Sequence, residues 1–453
     1  MSALAQYLRF TGREVSGSDR GFDRGGEADK RAYFEHHGIQ IFPQDGSGLG
    51  NLKTGHSALI VSTAIESDNP EIRRARELGI PILHRSELLA RLCGEKKTVA
   101  VAGTSGKSTV AGMAYHVLEA GGLSPSLITG ANLLSLQGQG LLGNAFAGKG
   151  DWLVIEADES DGSLTRYEPE VGLFLNIEKD HQEIEALMPL FRTFRSQCKR
   201  AVLNDRNPRC LALKQPGDAV FDRESLEGVA IENPVFEEWS STFTLSGEFF
   251  EIPVPGRHNV ENALAAIALG KLLGISLADC AKGLGRFQGV ERRFIRVGEP
   301  RGITVVDDFA HNPAKVKAAL ETAKGKTRGK NRRVLAIFHP HGYAPMKLMG
   351  RDIMDAMAEV LSAEDRVFLP EIYYVGGTAD QTISSKDLVE YLNARTSGPV
   401  GRFFASKDEV LHAVAAEARA GDFVISMGAR DPDLNRFALK LVQALETPAT
   451  SPS

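Results

Sequence analysis

A lysine set at the start of a helix, behind a glycine-rich turn, is built to receive an anion. The run Gly103, Thr104, Ser105, Gly106, Lys107, Ser108 and Thr109 has that form. It follows the apolar stretch 98–102, which reads as a strand, and precedes 110–120, which reads as a helix. In such a turn backbone N–H groups converge on a phosphate and the helix start adds the positive end of its dipole. Lys107 adds a point charge, and Ser108 offers a hydroxyl to Mg2+. The common motif opens with a glycine further ahead of the Gly-Lys pair, whereas only Thr104 and Ser105 separate Gly103 from Gly106 here. A plain glycine-rich turn with an exposed lysine is the competing reading. The strand before and the helix after favour the phosphate, so the chain is expected to bind ATP or GTP.

A second set of residues points the same way. Glu156, Asp158, Glu159 and Asp161 come after the strand-like 152–155, and Asn176, Glu178, Asp180 and His181 at the end of the next strand and beyond it. Ends of adjacent parallel strands lie on one side of a sheet, where such folds build their sites. Carboxylates there would hold Mg2+ against a triphosphate, since hard cations take oxygen ligands. A solvated acidic loop is the alternative. On chemistry alone His181 reads as a base, because Mg2+ prefers oxygen. Asn259 and Asn262 open a helix-like stretch after Pro255-Gly256, and their amides can both donate to and accept from an adenine edge. Asn259 could equally cap that helix. Asp19 follows the strand-like 14–18, where a nucleotide-binding α/β unit often places an acid near a ribose.

These residues need parallel sheets to position them. At 453 residues the chain is expected to hold about three domains. In 1–94, helix-like and strand-like pieces alternate (3–10, 14–18, 28–37, 58–63 and 70–78), which predicts a parallel sheet with crossover helices. The chain opens in a helix without the strand and glycine turn expected ahead of it, so this section reads as truncated. Section 95–296 carries the phosphate loop, a helix at 185–195, strands within 243–252 and a helix at 260–273. Section 297–453 has strands at 303–306, 334–338, 366–369 and 423–426. The basic stretch 325–333 reads as a solvated connector, and the polar tail 447–453 as disordered.

Bulk properties exclude other classes. A net charge of -5 gives no broad attraction to nucleic acid or to an anionic membrane, and no apolar run approaches a membrane span. The 4 cysteines are scattered without a paired spacing, which supports neither a disulfide framework nor a zinc site. The expected location is the cytoplasm.

Several runs occur in order along nearly the whole chain: Gly103 to Thr109; Glu156-Ala157-Asp158-Glu159-Ser160-Asp161; Asn176-Ile177-Glu178-Lys179-Asp180-His181; Pro255-Gly256-Arg257-His258-Asn259 with Asn262; Arg292-Arg293-Phe294; and Asp307-Asp308-Phe309-Ala310-His311. Together they resemble the Mur ligases, most closely the branch that adds L-alanine to UDP-N-acetylmuramate. The resemblance implies a three-domain α/β architecture: a Rossmann-like UDP-substrate domain (1–94, truncated), a central P-loop ATPase domain (95–296) and a C-terminal Rossmann-like domain (297–453) that receives the amine.

It also implies the reaction and the parts. ATP would phosphorylate the substrate carboxylate, and the amine would attack the resulting acyl phosphate. Lys107 and Ser108 would hold phosphates and Mg2+, and Glu156 with His181 a second metal, which moves His181 from base to ligand. Asn259 and Asn262 would contact adenine, and Arg293 and Asp308 phosphate and ribose. Asp19, Ser62 and Thr63 belong to the substrate domain, Ser160 to the acidic run, and His341 and Tyr343 to the amine side.

The chain departs from the pattern at Gly342, where the alanine-adding branch has arginine, at Asn312, where these enzymes carry a second histidine, and at Ser105 and Ser108, which replace histidine and threonine. Loss of the guanidinium at 342 removes a bidentate partner for an amino acid carboxylate. Met346-Lys347 resembles the recycling branch, so ligation of a preformed murein tripeptide to UDP-N-acetylmuramate is the second expectation, and a noncatalytic nucleotide-binding homologue the third.

Overall fold

A computed structural model describes residues 1–50, 57–179, 183–327, 332–374, 382–431 and 433–446. They form two compact units, Met1–Gln288 and Gly289–Ser453. Each is a layered α/β body.

In the first unit the dominant feature is a nine-stranded sheet. Lys97–Ala102 lies at its middle, paired in parallel with Trp152–Ala157 on one side and Val171–Phe174 on the other. From Val99 onward its side chains are fully buried on both faces, which is why it reads as an unbroken apolar run rather than an alternating one. Arg200–Asn204 and Ala219–Phe221 continue the parallel ladder beyond Val171–Phe174, and Ser126–Ile128 extends it beyond Trp152–Ala157. Short antiparallel strands close both edges.

Register then fixes what the loops can do. Ala102 stands opposite Ala157 and Phe174, and Ile128 opposite Ile155. The turn that starts at Gly103 therefore leaves the sheet at the same end as Glu156, Thr129 and Asn176. The helix Lys107–Ala120 is buried from Ser108 through Leu118, because the helices Arg257–Leu272 and Leu277–Gly285 pack on it as well as the sheet. It begins at Lys107, three residues before the helical pattern of the sequence would start it. The stretch 243–252 is a hairpin of Ser241–Leu245 and Glu248–Ile252, joined by Glu232–Phe236 into a separate three-stranded antiparallel sheet.

The opening residues alternate helix and strand as expected, but their strands are only two or three residues long. They form two parallel pairs, Ser16–Gly17 with Gln40–Ile41 and Leu59–Val61 with Ile82–His84, instead of one continuous sheet. Helices Ser2–Phe10 and Arg85–Gly94 also reach beyond those pairs. Ala3, Leu4, Tyr7, Leu89 and Leu92 share a core with Ala100, Ile155 and Phe174 of the large sheet.

The second unit is a six-stranded sheet in the order Ile295–Gly298, Thr304–Asp308, Phe423–Gly428, Val334–His339, Arg366–Pro370, Gly401–Phe404. All neighbours are parallel except the first pair. Helices Lys407–Glu417 and Leu434–Glu446 cover the face bearing Val305, Leu335, Ile337 and Val424. Pro313–Thr327, Tyr343–Val360 and Ser385–Asn393 are the remaining helices. The four strands expected from the sequence are present. Ile295–Gly298 and Gly401–Phe404 are additional.

The basic connector needs correcting. Gly325 lies inside the helix Pro313–Thr327. Arg333, far from being solvated, pairs with Asp422 at 3.0 Å and Glu417 at 3.1 Å. Residues 328–331 of that stretch, and the expected tail at 447–453, fall outside the described residues. Among the described residues no helix is long and apolar enough to cross a membrane.

Candidate functional site

The turn after Lys97–Ala102 is shaped by two glycines that no other residue could replace without strain. Gly103 has φ +149° and Gly106 φ +86°. A Cβ on Gly103 would press on Leu175 and the backbone of Asn176 at 3.1–3.2 Å, and one on Gly106 would meet Asn262 Oδ1 at 2.9 Å. The turn is thus pinned between the neighbouring strand and the helix Arg257–Leu272.

Asn176 does much of the pinning. Its Oδ1 accepts from Thr104 Oγ1 and from the Ser105 N–H, both at 2.8 Å, and its Nδ2 donates to the Ser105 carbonyl at 3.1 Å. Its own carbonyl accepts the Thr104 N–H. One amide therefore satisfies a loop whose backbone groups have no ladder partner.

Lys107 opens the helix. Its Nζ donates to the Gly103 carbonyl and to Glu159 Oε2, each at 2.7 Å, with Asp158 at 3.9 Å. Burial alone would lower its pKa, but Glu159, Asp158 and Glu156 more than offset this and hold the ammonium above the ordinary lysine range. Glu159 is 3% exposed, and burial pushes its carboxyl upward against the pull of Lys107. The acidic run thus divides its labour. Glu159 serves Lys107, and Asp161 pairs with Arg85 and accepts from the Ser163 N–H.

Glu156 is the member that faces the loop. Ser108 Oγ donates to its Oε2 at 3.0 Å, while Thr129 Oγ1 and the Gly130 N–H, the latter at 2.8 Å, donate to its Oε1. A serine hydroxyl and the carboxylate oxygen facing it are hard oxygens, which suits Mg2+. Among the described residues no group of three or more His, Cys, Asp and Glu side chains could hold a metal. His181 and Asp180, expected beside this carboxylate, lie outside the described residues.

Asn262 reaches Gly106 and donates to Asn259 Oδ1 at 3.2 Å. The capping role considered for Asn259 is not the one it performs. The helix is capped at Gly256 without a side chain, and Asn259 Nδ2 instead donates to the Pro255 carbonyl at 2.8 Å. Ser160 is exposed, with its N–H donating to Asp158. Asp19 caps the short helix Arg20–Asp23 through the Gly21 N–H, and Ser62 and Thr63 form the turn after Leu59–Val61.

Arg293, Asp308, His341 and Tyr343 belong to the second unit. Asp308 accepts from the Phe294 and Ala310 N–H groups at 2.7 and 2.6 Å. Burial lifts its pKa to about 6, against the opposing charge of Arg293, whose guanidinium lies over the Phe309 ring. His341 is buried with its ring 5.6 Å from that of His311, and Tyr343 starts its helix beside Tyr374. Thr129, Gly130 and the tethering by Asn176 were not foreseen. Asn176 stood in a recognised run, whereas Thr129 follows a strand too short to be read.

A phosphate loop in mid-sheet, an acid on the adjacent strand and a second doubly wound unit define a nucleotide-dependent α/β enzyme. Known proteins sharpen that class. Residues 1–97 match the Mur ligase family catalytic domain, 101–270 the Mur ligase middle domain, and 292–430 the Mur ligase glutamate ligase domain. The UDP-N-acetylmuramate--L-alanine ligase of Syntrophomonas wolfei is 33% identical over 98% of this chain and 95% of its own length. That of Gloeobacter violaceus is 35% identical over 99% and 94%. The UDP-N-acetylmuramate-alanine ligase of Thermotoga maritima superimposes with a TM-score of 0.78 at 26% identity, covering 98% of this chain and 96% of that one. A murein peptide ligase from Psychrobacter arcticus shares the fold, with a TM-score of 0.68 at 20% identity over 99% and 96% of the two chains. The chain belongs to the Mur ligase family.

Proposed function

We propose that this chain is an ATP-dependent ligase that joins L-alanine to the carboxylate of UDP-N-acetylmuramate through an acyl phosphate, supplying peptidoglycan precursors in the cytoplasm. The observation that carries this reading is the convergence of Lys107, Ser108 and Glu156 at one end of the central sheet, in a chain that aligns end to end with L-alanine ligases.

A carboxylate is a poor electrophile because oxide is a poor leaving group, and phosphorylation replaces oxide with phosphate. Bringing a carboxylate to a triphosphate sets negative against negative, so cations must stand between them. Lys107 supplies one, exchanging Glu159 for phosphate oxygens. Ser108 would hold one Mg2+ and Glu156 with His181 a second metal, which when bound would neutralise charge on the transferring phosphoryl group. Gly103 to Thr109 present their N–H groups to the phosphates. Asn259 and Asn262 recognise adenine, and Arg293 and Asp308 contact phosphate and ribose. Asp19, Ser62 and Thr63 in 1–94 hold the UDP sugar, Ser160 borders it within 95–296, and His341 and Tyr343 in 297–453 receive the amine.

The test is ADP release with UDP-N-acetylmuramate and a panel of L-alanine, L-serine, glycine and the murein tripeptide. L-alanine should give the highest kcat/KM. Met346-Lys347 gives the tripeptide its claim, and tripeptide preference would replace L-alanine ligation by the recycling reaction. No ADP release dependent on UDP-N-acetylmuramate would leave a nucleotide-binding homologue.

A further inference from the structure

Thr129 sits one residue past Ile128, which pairs with Ile155, so it stands level with Glu156 on the adjacent parallel strand. It is 4% exposed. A hydroxyl so deep in an apolar strand end must find an acceptor, and it finds Glu156 Oε1, which also takes the Gly130 N–H. The other carboxylate oxygen, Oε2, is left facing Ser108 Oγ. A carboxylate without such restraint can turn about its last torsion and present either oxygen or both. Here one oxygen is held by two donors from a single strand end.

Building on the reading of Glu156 as a metal ligand, we propose that Thr129 is a positioning residue that fixes Glu156 as a one-oxygen ligand, with Oε2 turned to the hydroxyl of Ser108. Mg2+ demands near-octahedral geometry and dehydrates reluctantly, so a pre-aimed single oxygen favours it over Ca2+, which accepts bidentate carboxylates. Outer-sphere partners of this kind shape metal affinity without touching the ion.

The test compares Thr129→Val, which keeps the shape and removes the donor, with Thr129→Ser, which restores it. Mn2+ binding to the protein with the β,γ-imido analogue of ATP is read by electron paramagnetic resonance, alongside calorimetric titration with Mg2+ and with Ca2+. None of these needs turnover, the UDP sugar or an amine. Thr129→Val should weaken Mn2+ and Mg2+ binding about tenfold and narrow the preference over Ca2+, and Thr129→Ser should recover most of both. Wild-type affinity in Thr129→Val would overturn the proposal. So would equal losses in both variants that track a fall in melting temperature, since that marks packing alone. If the wild-type protein fails to bind the analogue at all, the phosphate site itself is wrong and the proposal falls with it. Normal wild-type binding with an indifferent Thr129→Val sinks only the role of Thr129.

Discussion

The central sheet and the C-terminal sheet are both mainly parallel and both carry buried ion pairs at a strand end, yet they use them differently. In the central sheet the cation, Lys107, leans on a carbonyl and a carboxylate, which on the proposed function it exchanges for phosphate. In the C-terminal sheet Arg292 binds Asp307 at 2.9 Å and the Gly428 carbonyl at 3.0 Å, with the two side chains 11% and 6% exposed. That contact ties the entry of the unit to two neighbouring strands. On the proposed function one pair is a poised site and the other a clasp. A buried charge pair thus says little about function until what could replace each partner is considered.

Removing each cation should separate the two cases. Arg292→Ala strands Asp307, whose carboxyl burial already raises, and should cost about 3–5 kcal/mol of stability. Thermal and denaturant unfolding of the variant check this. A melting temperature close to wild type would erase the distinction drawn above. Lys107→Ala should lower the rate of carboxylate phosphorylation on the order of 10²–10³-fold, read as positional isotope exchange in ATP. It also strands Glu159, so Lys107→Ala with Glu159→Gln should be more stable than Lys107→Ala alone yet no more active. Equal stability would mean that Glu159 holds no buried charge.

The same contrast explains what the sequence disclosed. The phosphate loop was legible because its backbone demands glycine at 103 and 106, and because lysine and serine sit where a helix begins. Glu156 was legible as an acid at a strand end. Thr129 was not, since Ser126–Ile128 is three residues long and nothing local marks its exit. The strands of the C-terminal sheet were legible where burial on both faces makes apolar runs. Gly401–Phe404 escaped because its two central residues, Arg402 and Phe403, are exposed on an edge. The clasp escaped because Arg292, Asp307 and Gly428 are brought together only by the strand order. The small ladders near the start were over-read as one sheet, because alternation of helix and strand reports period and not strand length.

A subtler break in the comparison lies at Asn176, which acts by holding the loop and not by charge. Asn176→Asp keeps an acceptor for Thr104 and Ser105 but loses the donor to the Ser105 carbonyl, and sets a negative charge beside the phosphates. It should raise the KM for ATP about tenfold while leaving kcat less affected, as expected when ground-state binding and transition-state binding fall together. A loss confined to kcat would mean that Asn176 takes part in the chemistry.

The smallest effect concerns His339, on the clasp side of the molecule. Its Nε2 is 3.2 Å from Ser426 Oγ and its ring packs on Phe437. Burial drops its pKa to about 3, with Asp431 opposing and Lys407 and Arg292 adding to the shift. An unfolded histidine titrates near about 6.5, so between that pH and about 3 the unfolded chain binds a proton that the folded chain refuses. Stability is therefore complete above about pH 6.5 and declines as the pH falls through that window. From pH 7 to pH 5.5 the loss from this residue amounts to about 1 kcal/mol. His339→Gln removes the titration and should shrink the fall in unfolding free energy over that interval by the same amount. An unchanged pH dependence would show that protons reach this strand end without unfolding it, and the C-terminal edge would then be as open to solvent chemistry as the phosphate loop.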